Sequence, residues 1–241
     1  MSTQTSSSKS IRAELLGAMR TGPYASGDRL PRESVLAERM NISRTQLRDI
    51  LASLEREGFI TRRHGVGTII NRHILEVDTR MDIEVEFLDM IRQNGFKPDV
   101  AFVRVADGVA DQEIAKQLGI LEGAPVIRIS RLCTADGKPA IYCEDVIDKT
   151  LAKGNYTIND FRLPVFHFLQ QYCGVSAYMD LANISPVVAN DNLAEIFAIP
   201  VGTPLLNVKE VDFDIDGHPV FCSNEYFVND FFAHSIMRKK L

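Results

Sequence analysis

Apolar residues recur every three to four positions in three stretches near the N-terminus, the spacing of a helix with one buried side. Over Lys9–Arg20 the set is Ile11, Leu15, Ala18 and Met19, and Gly22-Pro23 ends it. A second pattern starts near Pro31, a residue suited to a helix's first turn, and buries Leu36, Ala37 and Met40. The third is the best defined. Ser43 is a good N-cap, Leu47, Ile50, Leu51 and Leu54 form the stripe, and Gly58 is a C-terminal stop. Two short β-like runs follow, Ile60–Arg63 and Thr68–Ile70, around His64-Gly65-Val66-Gly67.

Beyond residue 72 the pattern changes. Asp82–Asn94 reads as an amphipathic helix through Val85, Leu88 and Ile91, ended by Gly95. The stretches 109–147 and 188–227 then resemble each other. Ala115 aligns with Ala194, Gly123 with Gly202 and Pro125 with Pro204. After a one-residue shift, Asp136-Gly137-Lys138-Pro139 aligns with Asp216-Gly217-His218-Pro219. Each copy reads as a short helix, a Gly-x-Pro turn, a strand, an Asp-Gly hairpin turn and a second strand. Two such units predict one antiparallel sheet with a pseudo-twofold between halves, and a pocket at the seam.

Charge divides the chain in the same way. Residues 1–73 hold 12 lysines and arginines against 7 acids, while the remainder holds 15 against 25. The overall −5 is therefore a basic module joined to an acidic one, and attraction to nucleic acid acts locally. In the third helix, Arg44 and Arg48 lie ~40° apart and Thr45 ~60° beyond, at about 100° per residue. These side chains project together from the first turns, where a recognition helix reaches base edges in the major groove. The two glycines between the β-like runs permit close backbone approach, with Arg62, Arg63 and His64 supplying charge and donors.

Leu30–Ile70 resembles the DNA-binding domain of the GntR family of bacterial regulators. The family pattern, roughly LPSERELAE…SRTTVREAL..LE.EGLI.RR.GRGTFV, runs along about 40 consecutive residues. The resemblance implies a winged helix-turn-helix binding double-stranded operator DNA. Its candidate contacts are Arg32, Ser43, Arg44, Thr45, Gln46, Arg48, Arg62, Arg63, His64, Gly65 and Gly67. One departure bears on the operator: Arg32 stands at the usual serine, and Ser34 at the usual arginine. Residues 98–236 resemble the UTRA domain of HutC-type members, a chorismate-lyase-like effector-binding fold. This resemblance implies a small-molecule effector held by Arg131, Cys133, Glu144 and Tyr226. Asp145, Asn224 and Glu225 are further polar candidates on the paired strands. Cys133 replaces the second arginine of an R-x-R pair, and Pro164 replaces a serine, which lowers the capacity for an anion.

The fold class expected is α+β, with an N-terminal winged helix-turn-helix and a C-terminal chorismate-lyase-like domain of antiparallel sheet and helices. The expected boundaries are a disordered tail at 1–8, the winged domain at 9–71, a linker at 72–97 and the effector and dimerisation domain at 98–241. No nucleophile elbow, metal-ligand spacing or phosphate loop is present, so no catalytic residue, metal or cofactor is assigned. His167 reads as a packed helix residue. The four cysteines read as reduced, buried thiols. No apolar run reaches the ~18 residues of a membrane span, so a cytoplasmic protein without a membrane partner is expected. The function read is a homodimeric repressor released or engaged by a metabolite. The alternatives are a constitutive DNA-binding dimer and an enzyme carrying a helix-turn-helix.

Overall fold

The structure, a computed structural model, describes residues 3–238. The chain divides into two compact units, residues 1–84 with 234–241 and residues 85–233. Among the described residues, no helix is long and apolar enough to cross a membrane.

The first unit opens with α1 (Thr3–Arg20), α2 (Glu33–Arg39) and α3 (Arg44–Arg56). Helix α1 takes in most of the segment expected as a tail, whose first two residues lie outside the described ones. Gly22 is required at its end, because a Cβ there would lie 2.7 Å from Ala18 Cα. Helix α2 begins two residues later than Pro31 suggested. Arg32 occupies its N-cap without a side-chain hydrogen bond, so the cap that the family serine would supply is missing. In α3, Ser43 caps as expected by accepting from Gln46 N–H at 3.1 Å.

Strands β1 (Ile60–Arg63) and β2 (Gly67–Ile70) form the hairpin, with Ile60 opposite Ile70 and Arg63 opposite Gly67. Gly65 and Gly67 at the tip adopt φ of 75° and 103°, a region that side chains with a Cβ disfavour. Leu15, Met19, Leu36, Leu47, Leu51, Leu54 and Ile60 interlock beneath the helices and hairpin. A single turn, α4 (Arg72–Leu75), and the short strand β3 (Thr79–Arg80) complete this stretch. Residues 72–84 thus belong to the winged unit and are not a free linker. Buried Arg80 secures them: its Nη1 donates to Glu57 O at 2.6 Å, and its guanidinium lies 5.0 Å from the centroid of the Phe59 ring.

The second unit begins with α5 (Phe87–Gln93), shorter than the run expected from sequence, and continues through β4 (Pro98–Val109), α6 (Gln112–Leu118), β5 (Pro125–Ala135) and β6 (Lys138–Asp148). After a loop with 3-10 turns come α7 (Val165–Phe168), which continues as a π turn to Cys173, then β7 (Met179–Val188), α8 (Asp191–Phe197), β8 (Pro204–Phe213) and β9 (Pro219–Val228). The strands form one antiparallel sheet in the order β4-β5-β6-β9-β8-β7. The repeat is therefore real and longer than its sequence trace, each copy opening with a strand, β4 or β7.

Equivalent caps confirm the correspondence. Asp111 accepts from Ile114 N–H and Asn190 from Leu193 N–H, while Gly119 and Ala198 end their helices in the left-handed region. Asp136-Gly137 makes a two-residue turn, but the second copy closes through the wider loop 214–218. One face of the sheet is covered by α6 and α8, the other by α5 and residues 158–173. The last strand, β10 (His234–Ser235), belongs to the first unit, where it pairs in parallel with β3.

Leu51 is fully buried at the centre of the first core. Leu51→Ala is expected to destabilise the winged unit by about 2–5 kcal/mol through lost burial and a residual cavity. Urea unfolding followed by circular dichroism will measure it.

Candidate DNA-binding and effector sites

The capped start of α3 presents Arg44, Thr45 and Arg48 to solvent, on the face adjoining its buried leucines. Gln46 is half-buried, and its backbone N–H is the group that Ser43 holds. Arg48 is not free: its Nε donates to Glu33 Oε2 of α2 at 2.9 Å. In the hairpin, Arg62 is held by Glu55 of α3, through Nε to Oε2 at 2.8 Å and backbone N to Oε1 at 2.7 Å. Arg63, His64, Gly65 and Gly67 are exposed at the tip. A cleft of about 640 Å³ runs between hairpin and helices, lined by Arg32, Arg62, Arg63 and His64 together with Glu33 and Glu55. The two carboxylates thus hold two of the arginines in place beside the cleft. Solvent screens such surface pairs, so another partner can replace either carboxylate at little cost.

The four effector candidates are not brought together. Arg131 and Cys133 are buried on the face covered by α5 and residues 158–173. Glu144 and Tyr226 point to the opposite face, because side chains alternate along a strand. There Glu144 is exposed and accepts from Tyr142 Oη at 3.0 Å, while Tyr226 stacks on the Tyr142 ring. The sequence placed all four in one pocket without knowing the strand register. The residue directly opposite Arg131 is Cys143.

The neighbours that Arg131 does have are acidic. Its Nη2 donates to Asp145 Oδ2 at 2.8 Å and its Nη1 to Leu163 O at 3.1 Å, while Nε is buried without a hydrogen-bond partner. Ser223 donates to Asp145 Oδ1 at 2.8 Å and lies 3.5 Å from Glu225 Oε1. Glu225 and Glu210 share a hydrogen bond. Burial pushes the Glu210 carboxyl up to about 7 and that of Glu225 well above its ordinary value, with the Glu210 charge adding to the latter. Glu86, one residue before α5, is also raised to about 7 by burial, against the opposing pull of Arg131.

With these geometries established, comparison with known proteins is decisive. The sequence profile of the UTRA domain matches residues 93–233, and that described as bacterial regulatory proteins, gntR family, matches residues 7–70. The chain belongs to the GntR family. It is a transcription regulator of the HutC-type branch, with a DNA-binding winged domain and a UTRA domain for small-molecule effectors. Among its relatives, the HTH-type transcriptional regulator GgaR of Escherichia coli (strain K12) is 27% identical over 223 residues, covering 90% of this chain and 84% of that protein. The HTH-type transcriptional repressor NagR of Bacillus subtilis (strain 168) is 23% identical over 203 residues, covering 84% and 82%. In fold, the chain is similar to the crystal structure of the possible transcriptional regulator YydK from Bacillus subtilis subsp. subtilis str. 168. The TM-score is 0.77 at 18% identity, covering 96% of this chain and all of that one.

Sequence reasoning named Arg131, Asp145 and Glu225 in this regulator but missed Glu86, Glu210 and Ser223. The alternation of polar residues in β8 and β9 carried a signal for the last two, whereas Glu86 reaches the cluster only through tertiary packing. His167 is exposed rather than packed. The four cysteines are free and buried, as expected, and burial raises Cys133 to about 11 and Cys143 well above its usual range. Both are held as thiols, the unreactive form.

Carboxyls raised in the folded state retain protons that the unfolded chain releases above about 4.3. Their stabilising contribution is complete below that pH and is lost as pH climbs toward 7. Glu225→Gln is therefore expected to flatten the fall in urea midpoint between about pH 4.5 and 7. A pH dependence identical to that of the unsubstituted protein would show that the pair is ionised throughout.

Proposed function

We propose that this regulator is a cytoplasmic repressor that binds a near-palindromic operator as a homodimer, with its operator affinity set by a metabolite held beside Arg131. It acts by binding rather than by turnover. The observation that carries the DNA reading is the joint exposure of Arg44, Thr45 and Arg48 on the first turns of a capped helix beside a glycine-tipped wing. Sign of regulation follows NagR, which is named a repressor. The contact set proposed is Arg32, Arg44, Thr45 and Arg48 with the wing residues Arg62, Arg63, His64, Gly65 and Gly67. The role of Ser43 and Gln46 is to fix the helix start.

Strand β7 supports the dimer. It is the free edge of the sheet, ten residues long, and carries one charge, Asp180. Its Met179, Leu181, Ile184 and Val188 are exposed. The equivalent edge, β4, has a bulge and the charges Asp99, Arg104 and Asp107, devices that discourage pairing. Apart from Pro186, which has no N–H to donate, this apolar edge fits antiparallel pairing with the same strand of a second copy, a contact with twofold symmetry. Two identical heads then match two half-sites. The effector can shift operator affinity only by its own differential affinity for the two arrangements of those heads.

In gel-shift assays with fragments selected from the genome, Arg44→Ala with Arg48→Ala is expected to weaken specific binding by about a hundredfold or more, given ~1–3 kcal/mol per base-reading arginine. Sequence-specific binding that survives both changes removes α3 from the recognition role. For the dimer, Leu181→Lys is expected to give a folded monomer by light scattering coupled to size exclusion. A dimer that persists in this variant places the interface elsewhere.

A further inference from the structure

The sheet face around Arg131 is dominated by carboxylates. Arg131 has its charge matched by Asp145 at 2.8 Å. Beyond that pair lie Glu225 and Glu210 on neighbouring strands, and Glu86 enters from the start of α5. Cys133 stands two residues along β5 from Arg131, where the resemblance placed a second arginine, and Pro164 stands where it placed a serine. An incoming phosphate would meet one already neutralised guanidinium and several carboxylates. Arg131 is 6% exposed, and its Nε is turned to no acceptor within the protein. A buried donor left in this way is costly unless a bound group supplies the acceptor.

We propose that the effector site takes a small aliphatic amine with an oxygen acceptor close to it, the chemistry of an amino acid or amino alcohol, rather than a phosphorylated sugar. This rests on the reading of the Arg131 face as the effector site. The ammonium faces Glu225, Glu210 and Glu86, and the acceptor oxygen takes the hydrogen bond from Arg131 Nε. An ammonium satisfies the need that Glu210 and Glu225 now meet by sharing a proton. Its arrival lets them ionise, so binding releases protons and strengthens as pH rises. Asp180 on β7, Asp89 on α5 and Asp212 on β8 add negative charge around the cluster. The thiols Cys133 and Cys143 stay protonated across the same range.

The test is thermal shift on the full chain with a matched panel: the common amino acids and ethanolamine on one side, glucose 6-phosphate and inorganic phosphate on the other. At least one amine is expected to raise Tm, more strongly at about pH 8 than at about pH 6. Glu225→Gln and, separately, Glu210→Gln are each expected to weaken that amine at least tenfold in calorimetric titration, with near-native circular dichroism in both. A response confined to the phosphorylated compound or phosphate, no response to any amine, or an amine response unchanged in both variants would overturn the proposal. Operator gel shifts in parallel separate the two readings. Release of DNA by glucose 6-phosphate keeps the regulator and rejects the amine, whereas failure of the unsubstituted protein to bind any operator rejects the regulator reading itself.

Discussion

The ladder between β6 and β9 is the contact on which the second unit depends. It joins the two halves of the repeat, aligning Asp145 with Ser223 and Cys143 with Glu225. Without it, each half would be a helix on a three-stranded sheet with an open edge. With it, the polar residues of both halves line up along a seam covered by α5 and residues 158–173. Ordinary strand hydrogen bonds thus concentrate charge where water is excluded. The buried Arg131–Asp145 pair lies within the first half, on β5 and β6, and Ser223 of β9 ties it to the ladder by donating to Asp145. Removing either partner from such a pair costs about 3–5 kcal/mol, because the other charge is left stranded.

The winged unit places its charges by a different logic. Arg48 and Arg62 are held at the surface by Glu33 and Glu55, in water, where charge pairing is weak. The tether costs little to break, yet it restricts rotamers that would otherwise be fixed only on binding. The same interaction type is structural in one unit and provisional in the other, and burial makes the difference.

Much of this was legible in the sequence because local rules decide it. The Ser43 cap, the α3 stripe, the glycine wing and the doubled hairpins are all set by residues close together in the chain. The misplacements came from long-range facts. Glu144 and Tyr226 carry plausible chemistry, but a single step in strand register sends them to the face opposite Arg131. Pro31 suggested the start of α2, and the cap position proved to be Arg32. Strands β4 and β7 escaped notice because edge strands lack the strong apolar alternation of buried ones. The role of residues 72–84 depends on Arg80 reaching Glu57 and Phe59, a contact that no periodicity encodes.

The parallel pairing of His234–Ser235 with Thr79–Arg80 gives the DNA-binding unit two separate pieces of chain. The UTRA unit is thus an insertion, spliced into its partner through two peptide connections rather than hung from one. A proteolytic nick near residue 233 would leave residues 1–84 covalently joined to the UTRA unit, whereas one near residue 84 would leave them held to the rest of the chain only by strand pairing. The two connections are therefore not equivalent: one carries the chain into the effector unit, and the other returns only a short strand to the winged one.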